Sequence, residues 1–227
     1  MSDLLTTWAI VVAGGDGARL GADRPKAFVG LGDRVLLAWS VEMLDEHPAV
    51  DGIVLVVPAG WEEPATLLAD DRAAGKVAAA VAGGPSRSQS VAAGLAEVPD
   101  DADLIVVHDA ARPFATAELV TRVLSGLADA EGAVPGVAVT DTIKRVAGGR
   151  VAETPPRASL VAVQTPQAFT AAALRRAYAV DAERLAAATD CASLLEAQGA
   201  AVAVVDGDPG NIKITTTDDL ARAAGRC

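Results

Sequence analysis

Along nearly the whole chain, short apolar runs alternate with segments of helical periodicity. Trp8–Ala13, Gly52–Val57, Val77–Val81, Asp103–Val107 and Ala133–Val139 read as strands. Their apolar character is nearly continuous, the mark of strands covered on both faces. Between them, Val35–Asp45 reads as a helix with Leu36, Leu37, Val41 and Leu44 on one side. Residues 61–73, Ser88–Glu97 and Thr116–Ala130 read as further helices, the last with Thr116 as its N-cap. This rhythm predicts an α/β fold: a single Rossmann-like domain over residues 1–227 with a mainly parallel sheet. A chain of 227 residues suits one such domain and leaves no room for a second full catalytic one.

The rhythm breaks between 140 and 163. There Gly148-Gly149 separates two polar strand-like pieces, Thr142–Val146 and Arg150–Glu153, and Pro155-Pro156 follows. A hairpin with a glycine turn fits this pattern. A polar hairpin has little core of its own, so the stretch reads as a dimerisation arm, with a merely exposed flap as the alternative. Beyond it, Thr170–Ala179 and Thr189–Gln198 read as helices, and Ala201–Val205 and Ile212–Thr215 as short strands. Thr217–Ala224 reads as a last helix, capped by Thr217, with Asp218 and Asp219 in its first turn.

Composition excludes several classes. A net charge of −11 argues against nucleic acid as a partner. It leaves room for a small anionic substrate, because a few cations can gather in one cleft. Lysines are scarce: Lys26, Lys76, Lys144 and Lys213 are the full set, and three of them fall inside the motifs below. Cys191 and the terminal Cys227 have neither disulfide nor metal-ligand spacing. The apolar stretch 8–13 ends at once in glycines, unlike a signal peptide, and no apolar run approaches the ~18 residues of a membrane span. A cytoplasmic protein with no membrane partner is expected.

Six segments carry candidate chemistry. The first is Ala13-Gly14-Gly15-Asp16-Gly17-Ala18-Arg19-Leu20-Gly21, directly after the first strand. Glycines there let backbone N–H groups approach a phosphate. A dinucleotide fingerprint starting at Gly15 would need glycine where Leu20 stands, and no Lys-Ser or Lys-Thr pair completes a Walker loop. Arg19 and Lys26 flank the loop instead, which suits a triphosphate under attack at its α-phosphorus. The second segment runs from Gly83 through Gly84, Pro85 and Arg87 to Ser90 and Val91, and could line a base and ribose pocket with Arg87 toward the phosphates; a serine-rich helix cap is the alternative. The third is Val106-Val107-His108-Asp109-Ala110-Ala111-Arg112-Pro113. An acid at the end of a buried strand is placed where open α/β sheets do chemistry, and Asp109 is a natural Mg²⁺ ligand. Arg112 could hold an acceptor's phosphate. His108 reads as a structural strand-end histidine, and His47 as part of a loop. The fourth to sixth are Asp141-Thr142-Ile143-Lys144; Arg157 with Gln164-Thr165-Pro166-Gln167; and Gly207 to Thr215, which contains Lys213.

In this order, with HDAARP, DTIK, QTPQ and NIKIT as its specific part, the chain resembles the 2-C-methyl-D-erythritol 4-phosphate cytidylyltransferases of the non-mevalonate isoprenoid pathway, from about residue 8 to 222. The resemblance implies a nucleotidyltransferase that moves CMP from CTP to a polyol phosphate with Mg²⁺. It implies that Gly14 to Gly17 wrap the CTP phosphates, with Ala13 and Ala110 beside the nucleotide, and that Arg19 and Lys26 stabilise the reacting α-phosphorus. Gly84, Pro85 and Ser90 would hold cytosine and Asp109 the metal. Arg112, Thr165 and Lys213 would bind the acceptor phosphate. Thr142 and Arg157 would enter the acceptor pocket of the other subunit through the arm of an obligate homodimer.

The chain departs from the family pattern at Ala27, Pro85, Cys191 and Gly210. Pro85 offers only a carbonyl to a base. No second metal-binding carboxylate stands out, and Asp208 is a weak candidate. The same motifs suit a ribitol 5-phosphate cytidylyltransferase, which differs only in its acceptor. A non-catalytic nucleotide-binding regulator would have no need for both Lys26 and Lys213.

Overall fold

A computed structural model describes residues 5–15, 17, 20 and 23–226. The chain opens with strand β1 (Thr7–Val12), then a small antiparallel pair, β2 (Gly30–Leu31) and β3 (Arg34–Val35), ahead of helix α1 (Leu36–Asp45). Strand β4 (Gly52–Val57), helix α2 (Glu62–Asp71), strand β5 (Val77–Ala82), helix α3 (Arg87–Glu97), strand β6 (Leu104–Asp109), helix α4 (Ala117–Ser125) and strand β7 (Gly132–Ala138) continue the alternation. A hairpin of β8 (Arg145–Ala147) and β9 (Arg150–Glu153) follows, then β10 (Val161–Val163), β11 (Gln167–Thr170), helices α5 (Ala171–Tyr178), α6 (Ala182–Ala187) and α7 (Cys191–Glu196), strand β12 (Val202–Asp206) and helix α8 (Thr217–Ala224).

The main sheet has the order β10-β7-β11-β6-β1-β4-β5, with β12 on the other side of β7. Strands β6, β1, β4 and β5 are mutually parallel, and β12 is parallel to β7. From β1 the chain moves outward to β4 and β5, then returns to lay β6 on the opposite side of β1. Strand order therefore reverses between β1 and β6. Both faces are covered, as the apolar runs require. Val91 and Leu95 of α3, Leu174 of α5 and Leu195 of α7 pack with Ile10, Val54 and Ile105 on one face. Leu37 and Val41 of α1 and Val120 and Val123 of α4 pack with Ala9, Val11 and Val106 on the other. A smaller cluster joins Leu31 and Leu36 to Ile214 and Ala223, which seats α8.

Several details correct the sequence reading. Strands β10 and β11 run antiparallel to their neighbours. Both are short, and β11 begins with a buried glutamine, so no apolar run announces it. Val161–Val163, expected within the arm, is thus a strand of the main sheet, and the hairpin proper is Arg145–Glu153. Its turn glycines, Gly148 and Gly149, have φ of +55° and +73°, the left-handed pair a two-residue turn demands. Ile212–Thr215 pairs with no strand. Helix α4 stops at Ser125, short of Ala130. The second of the two later helices starts at Cys191, capped by the Asp190 carboxylate, and α6 precedes it in a stretch where the sequence reading has no element. The last helix is capped by Thr216, one residue before the expected Thr217, in a reciprocal capping box with Asp219. His47 lies in a loop as expected, but is buried and bonded to Thr121 Oγ1 at 3.0 Å. Among the described residues, no helix is long and apolar enough to cross a membrane.

The distance of α3 from the sheet is set by Gly94. A Cβ there would lie 2.7 Å from both Ile10 Cγ2 and Val56 Cγ2, at the centre of the parallel strands. Gly94→Val should therefore overpack this face and cost about 1–3 kcal/mol, read as a lower urea midpoint with an unchanged slope. A neutral substitution would mean that α3 can ride outward freely.

Candidate active site

The carboxyl ends of β1 and β6 are where open α/β sheets bind ligands, because connecting loops part there. A cleft of about 310 Å³ opens at this place, between the glycine loop after β1, the start of α3, the end of β6 and the segment around Lys213.

The glycine loop is shaped by sterics. Gly17 has φ of +77°, and a Cβ on it would lie 2.6 Å from the Arg24 carbonyl oxygen, so no other residue fits without strain. Ala13 N–H donates to Val56 O at 2.7 Å, and Lys26 N–H to Gly15 O at 3.0 Å, closing the loop back on itself. Ala13, Gly14, Gly15, Gly17 and Lys26 line the cleft. Asp16 and Arg19 lie outside the described residues.

Opposite stands the first turn of α3. Ser86 caps it, its Oγ accepting from Gln89 N–H at 3.2 Å, which leaves the helix N-terminus turned to the cleft. Gly84 is required by close approach, since a Cβ there would meet Gln89 Cβ at 2.6 Å. Gly84, Pro85 and Ser90 line the cleft as expected, but the Ser90 hydroxyl is engaged with Ser86 O at 2.9 Å and Gly84 O at 3.2 Å. Ser90 thus shapes the 84–86 loop: its proton goes to backbone carbonyls, and its oxygen keeps lone pairs that can accept from a ligand.

Asp109 ends β6 in register with Val12. Its Oδ1 accepts from Arg87 Nε at 2.9 Å and its Oδ2 from Lys213 Nζ at 2.7 Å. Burial alone would raise the pKa of this carboxyl; the two cations outweigh it and hold it well below the usual carboxylate range. Arg87, expected toward phosphates, and Lys213, expected on an acceptor phosphate, are both in the cleft with their charges on Asp109. Ala110 lines the cleft beside them. The Asp109 N–H donates to Thr165 Oγ1 at 3.0 Å, and the same oxygen meets His108 Nδ1 at 3.2 Å. Burial pushes the His108 pKa down to about 4, so the ring is neutral and structural, as the sequence reading has it.

Four expected residues do not line this cleft. Thr165 is buried beneath Asp109. Arg112 is folded against backbone carbonyls, Asn211 O at 2.7 Å and Val163 O at 3.4 Å. Thr142 is exposed at the foot of the arm, and the exposed Arg157 donates to Thr140 O at 3.0 Å. Asp208, the weak metal candidate, accepts from Gly210 N–H at 2.7 Å in a turn. Ser86, Ala111 and Thr215, which lie inside the second, third and sixth segments without an assigned role, also line the cleft, as do Val12, Leu20 and Ala27. Ser86 had a signal, its N-cap position before a helix; the others adjoin motif residues. Cys191 is buried under the site, with its Sγ 3.6 Å from Arg87 Nη1 and 3.1 Å from the Tyr178 hydroxyl.

Comparison with known proteins follows the same lines. Residues 7–225 match the family described as IspD: 2-C-methyl-D-erythritol 4-phosphate cytidylyltransferase. A protein of that name from Rhodococcus jostii is 48% identical over 218 residues, covering 95% of this chain and 92% of the relative. A bifunctional enzyme IspD/IspF from Oleidesulfovibrio alaskensis is 44% identical over 223 residues, covering 94% of this chain and 56% of the relative, so the chain spans about half of that protein. The crystal structure of a 4-diphosphocytidyl-2C-methyl-D-erythritol synthase from Anaerococcus prevotii superposes with a TM-score of 0.85 at 28% identity, covering 99% of each chain.

Asp109→Asn should leave Arg87 and Lys213 without a counter-charge. With the Lys213 side chain 42% exposed, the loss should be about 1–3 kcal/mol at pH 7, below the range for a fully buried pair. The folded pKa is depressed, so the pair's stabilisation is present above the ordinary value of about 3.9 and fades as pH falls below it. Urea unfolding of both proteins from pH 7 down to 3 should show the two curves converging at the acid end; a constant gap would overturn the assignment.

Proposed function

The chain belongs to the 2-C-methyl-D-erythritol 4-phosphate cytidylyltransferase family, and we propose that it transfers CMP from CTP to 2-C-methyl-D-erythritol 4-phosphate, releasing pyrophosphate, as a cytoplasmic enzyme of isoprenoid precursor synthesis. The observation that carries this reading is the cleft itself. In a chain with a net charge of −11, it gathers Lys26, Arg87 and Lys213 in one cleft, the last two on a single carboxylate, between a glycine loop and a helix N-terminus. That arrangement suits a polyphosphate lying across the end of the sheet.

The reaction needs little from side chains except position and charge. The acceptor is a phosphate monoester whose second pKa is about 6, so its attacking oxygen is already anionic at neutral pH. No general base is needed. The attack is in line at the α-phosphorus, a P–O bond forms to the acceptor phosphate, and the bond to the β-phosphate oxygen breaks with pyrophosphate leaving. The difficulty is bringing two anions together, which is work for oriented cations. Lys26, on the wall of the cleft beside the glycine loop, would face the α-phosphorus, with Arg19 as its expected partner. Lys213 would aim the acceptor phosphate, with Arg112, held outside the cleft on backbone carbonyls, as its expected partner.

Mg²⁺ fits the donors present. Among the described residues Asp109 is the carboxylate in the cleft, and no three His, Cys, Asp or Glu side chains cluster to form an all-protein site. Its oxygens have lone pairs beyond those taken by Arg87 and Lys213. Mg²⁺ typically uses one or two carboxylates and takes its other ligands from phosphate and water. Asp109 would hold it, and the ion would neutralise charge on the triphosphate.

The proposal includes a homodimer. Val146 and Val151 of the hairpin are each 60% exposed, and Val161, Val163 and Val204 leave an exposed apolar patch on the main sheet. A second copy would cover these, and would receive Thr142 and Arg157 in its acceptor pocket.

The test is pyrophosphate release with Mg²⁺, across four nucleoside triphosphates and two acceptors, methylerythritol 4-phosphate and ribitol 5-phosphate. Release is expected with CTP and methylerythritol phosphate, and Lys26→Ala should lower kcat about 10²–10³-fold. Release with ribitol phosphate alone would keep the chemistry and change the acceptor. For the arm, a Val146→Asp/Val151→Asp double variant should scatter light as a monomer and lose acceptor turnover. A fully active monomer would overturn the shared pocket.

A further inference from the structure

Lys213 has no regular secondary structure to hold it. The chain from 207 to 216 has neither strand nor helix, yet the ammonium must stand at a fixed distance from Asp109. Main-chain contacts pin the segment near its ends, Gly207 N–H to Gly136 O at 2.9 Å and Ile214 N–H to Ala111 O at 2.8 Å. What lies between is held by side chains: Arg112 and Arg226 on the carbonyls of Asn211 and Gly210, and Gln164 and Asn211, which the proposed reaction leaves without a role.

We propose that Gln164 and Asn211 are positioning residues that fix the 207–213 segment, and so set where Lys213 meets Asp109 and the acceptor; the inference rests on the reading of this cleft as the cytidylyl-transfer site. The Gln164 amide makes three hydrogen bonds to that segment. Nε2 donates to Asp208 O at 2.8 Å and to Asn211 O at 3.2 Å, and Oε1 accepts from Asp208 N–H at 3.1 Å. Only a primary amide can donate twice and accept at once in this geometry. Gly207 makes room for it, since a Cβ there would lie 2.9 Å from Gln164 Oε1. Asn211 is fully buried, and its Nδ2 donates back to Thr165 O at 2.8 Å.

Gln164 is itself tied to the sheet, its N–H donating to Pro135 O at 2.9 Å. Its neighbour Thr165 accepts the Asp109 N–H at 3.0 Å. The dipeptide Gln164-Thr165 therefore holds both halves of the Asp109–Lys213 ion pair. Gln164 anchors the backbone that carries the ammonium, and Thr165 the backbone that carries the carboxylate.

The experiment is a double-mutant cycle with CTP and methylerythritol phosphate, joined to amide hydrogen exchange. Gln164→Leu and Asn211→Ala should each lower kcat/KM for the acceptor about 10²-fold, the scale of a small misplacement of a catalytic group, with KM for CTP within about twofold. In a Lys213→Met background, Gln164→Leu should cost less than about threefold more, because the lysine it positions is gone. Losses that multiply in the double variant, or wild-type turnover by Gln164→Leu, would overturn the positioning role. Exchange of the amides between 208 and 214 reads the role without turnover: it should speed at least about tenfold in Gln164→Leu, and unchanged protection would count against the proposal even in an active enzyme. A wild-type enzyme inactive with every substrate pair, but with the expected exchange, would strike the reaction and leave the positioning. If Gln164→Leu fails to melt cooperatively, Gln164→Glu keeps the acceptor for Asp208 N–H, loses both donors, and is read by the same cycle.

Discussion

A carboxylate that burial alone would neutralise is kept charged at the end of β6 because two cations reach it from far away in the sequence. Arg87 is 22 residues from Asp109, and Lys213 is 104. Neither can be supplied locally. The strand that carries Asp109, the helix that starts with Arg87 and the segment that carries Lys213 must converge. The reversal of strand order between β1 and β6 opens the gap in which they meet. The electrostatic requirement and the topology are thus the same constraint seen at two scales.

Close approach is the second constraint, and the sequence answers it with small residues. Gly94 lets α3 lie against Ile10 and Val56, Gly84 lets the chain enter α3 tightly, and Gly17 turns the loop over Arg24. Each would clash if it carried a Cβ. With aromatics at 3% of the chain, the two faces of the sheet are packed by Val, Leu, Ile and Ala, which suits thin, closely spaced layers.

The parallel half of the fold was legible because its strands are nearly continuous apolar runs, several of them bounded by glycines. The antiparallel strand β11 was not, because its pairing buries Gln167, whose amide meets Asp190 Oδ2 at 2.9 Å, and a polar residue satisfied by a distant partner leaves no periodic trace. Ile212–Thr215 misled for the opposite reason: its alternation of apolar and polar residues resembles a strand, but its Ile214 is buried against α8 and β2 instead of in a ladder. In the site, residue types pointed to the right segments, yet roles were confused where a side chain faces inward. Thr165 and Ser90 carry hydroxyls in the right motifs, but Thr165 accepts the Asp109 N–H and Ser90 gives its proton to the Ser86 carbonyl. Sequence shows which groups are present. Only the fold shows which lone pairs and protons remain for a ligand.

That distinction bears on how so acidic a protein could handle anions. With a net charge of −11, its long-range field repels phosphates, so attraction must come from within a few ångströms, inside the screening length of about 8 Å at physiological salt. Asp109 partly offsets the cations around it, which makes the cleft less attractive than three bare charges would be. The offset has a compensating effect, because it holds Arg87 and Lys213 in one place before a ligand arrives. Preorganised charge loses less to reorganisation when a transition state forms than mobile charge does. Arg112 is held differently: outside the cleft, its guanidinium rests on carbonyl oxygens, burial lowers its pKa, and Asp109 pulls the other way. One acid balanced by two cations fixes geometry, and the transfer proposed for this site would draw on charges fixed in that way.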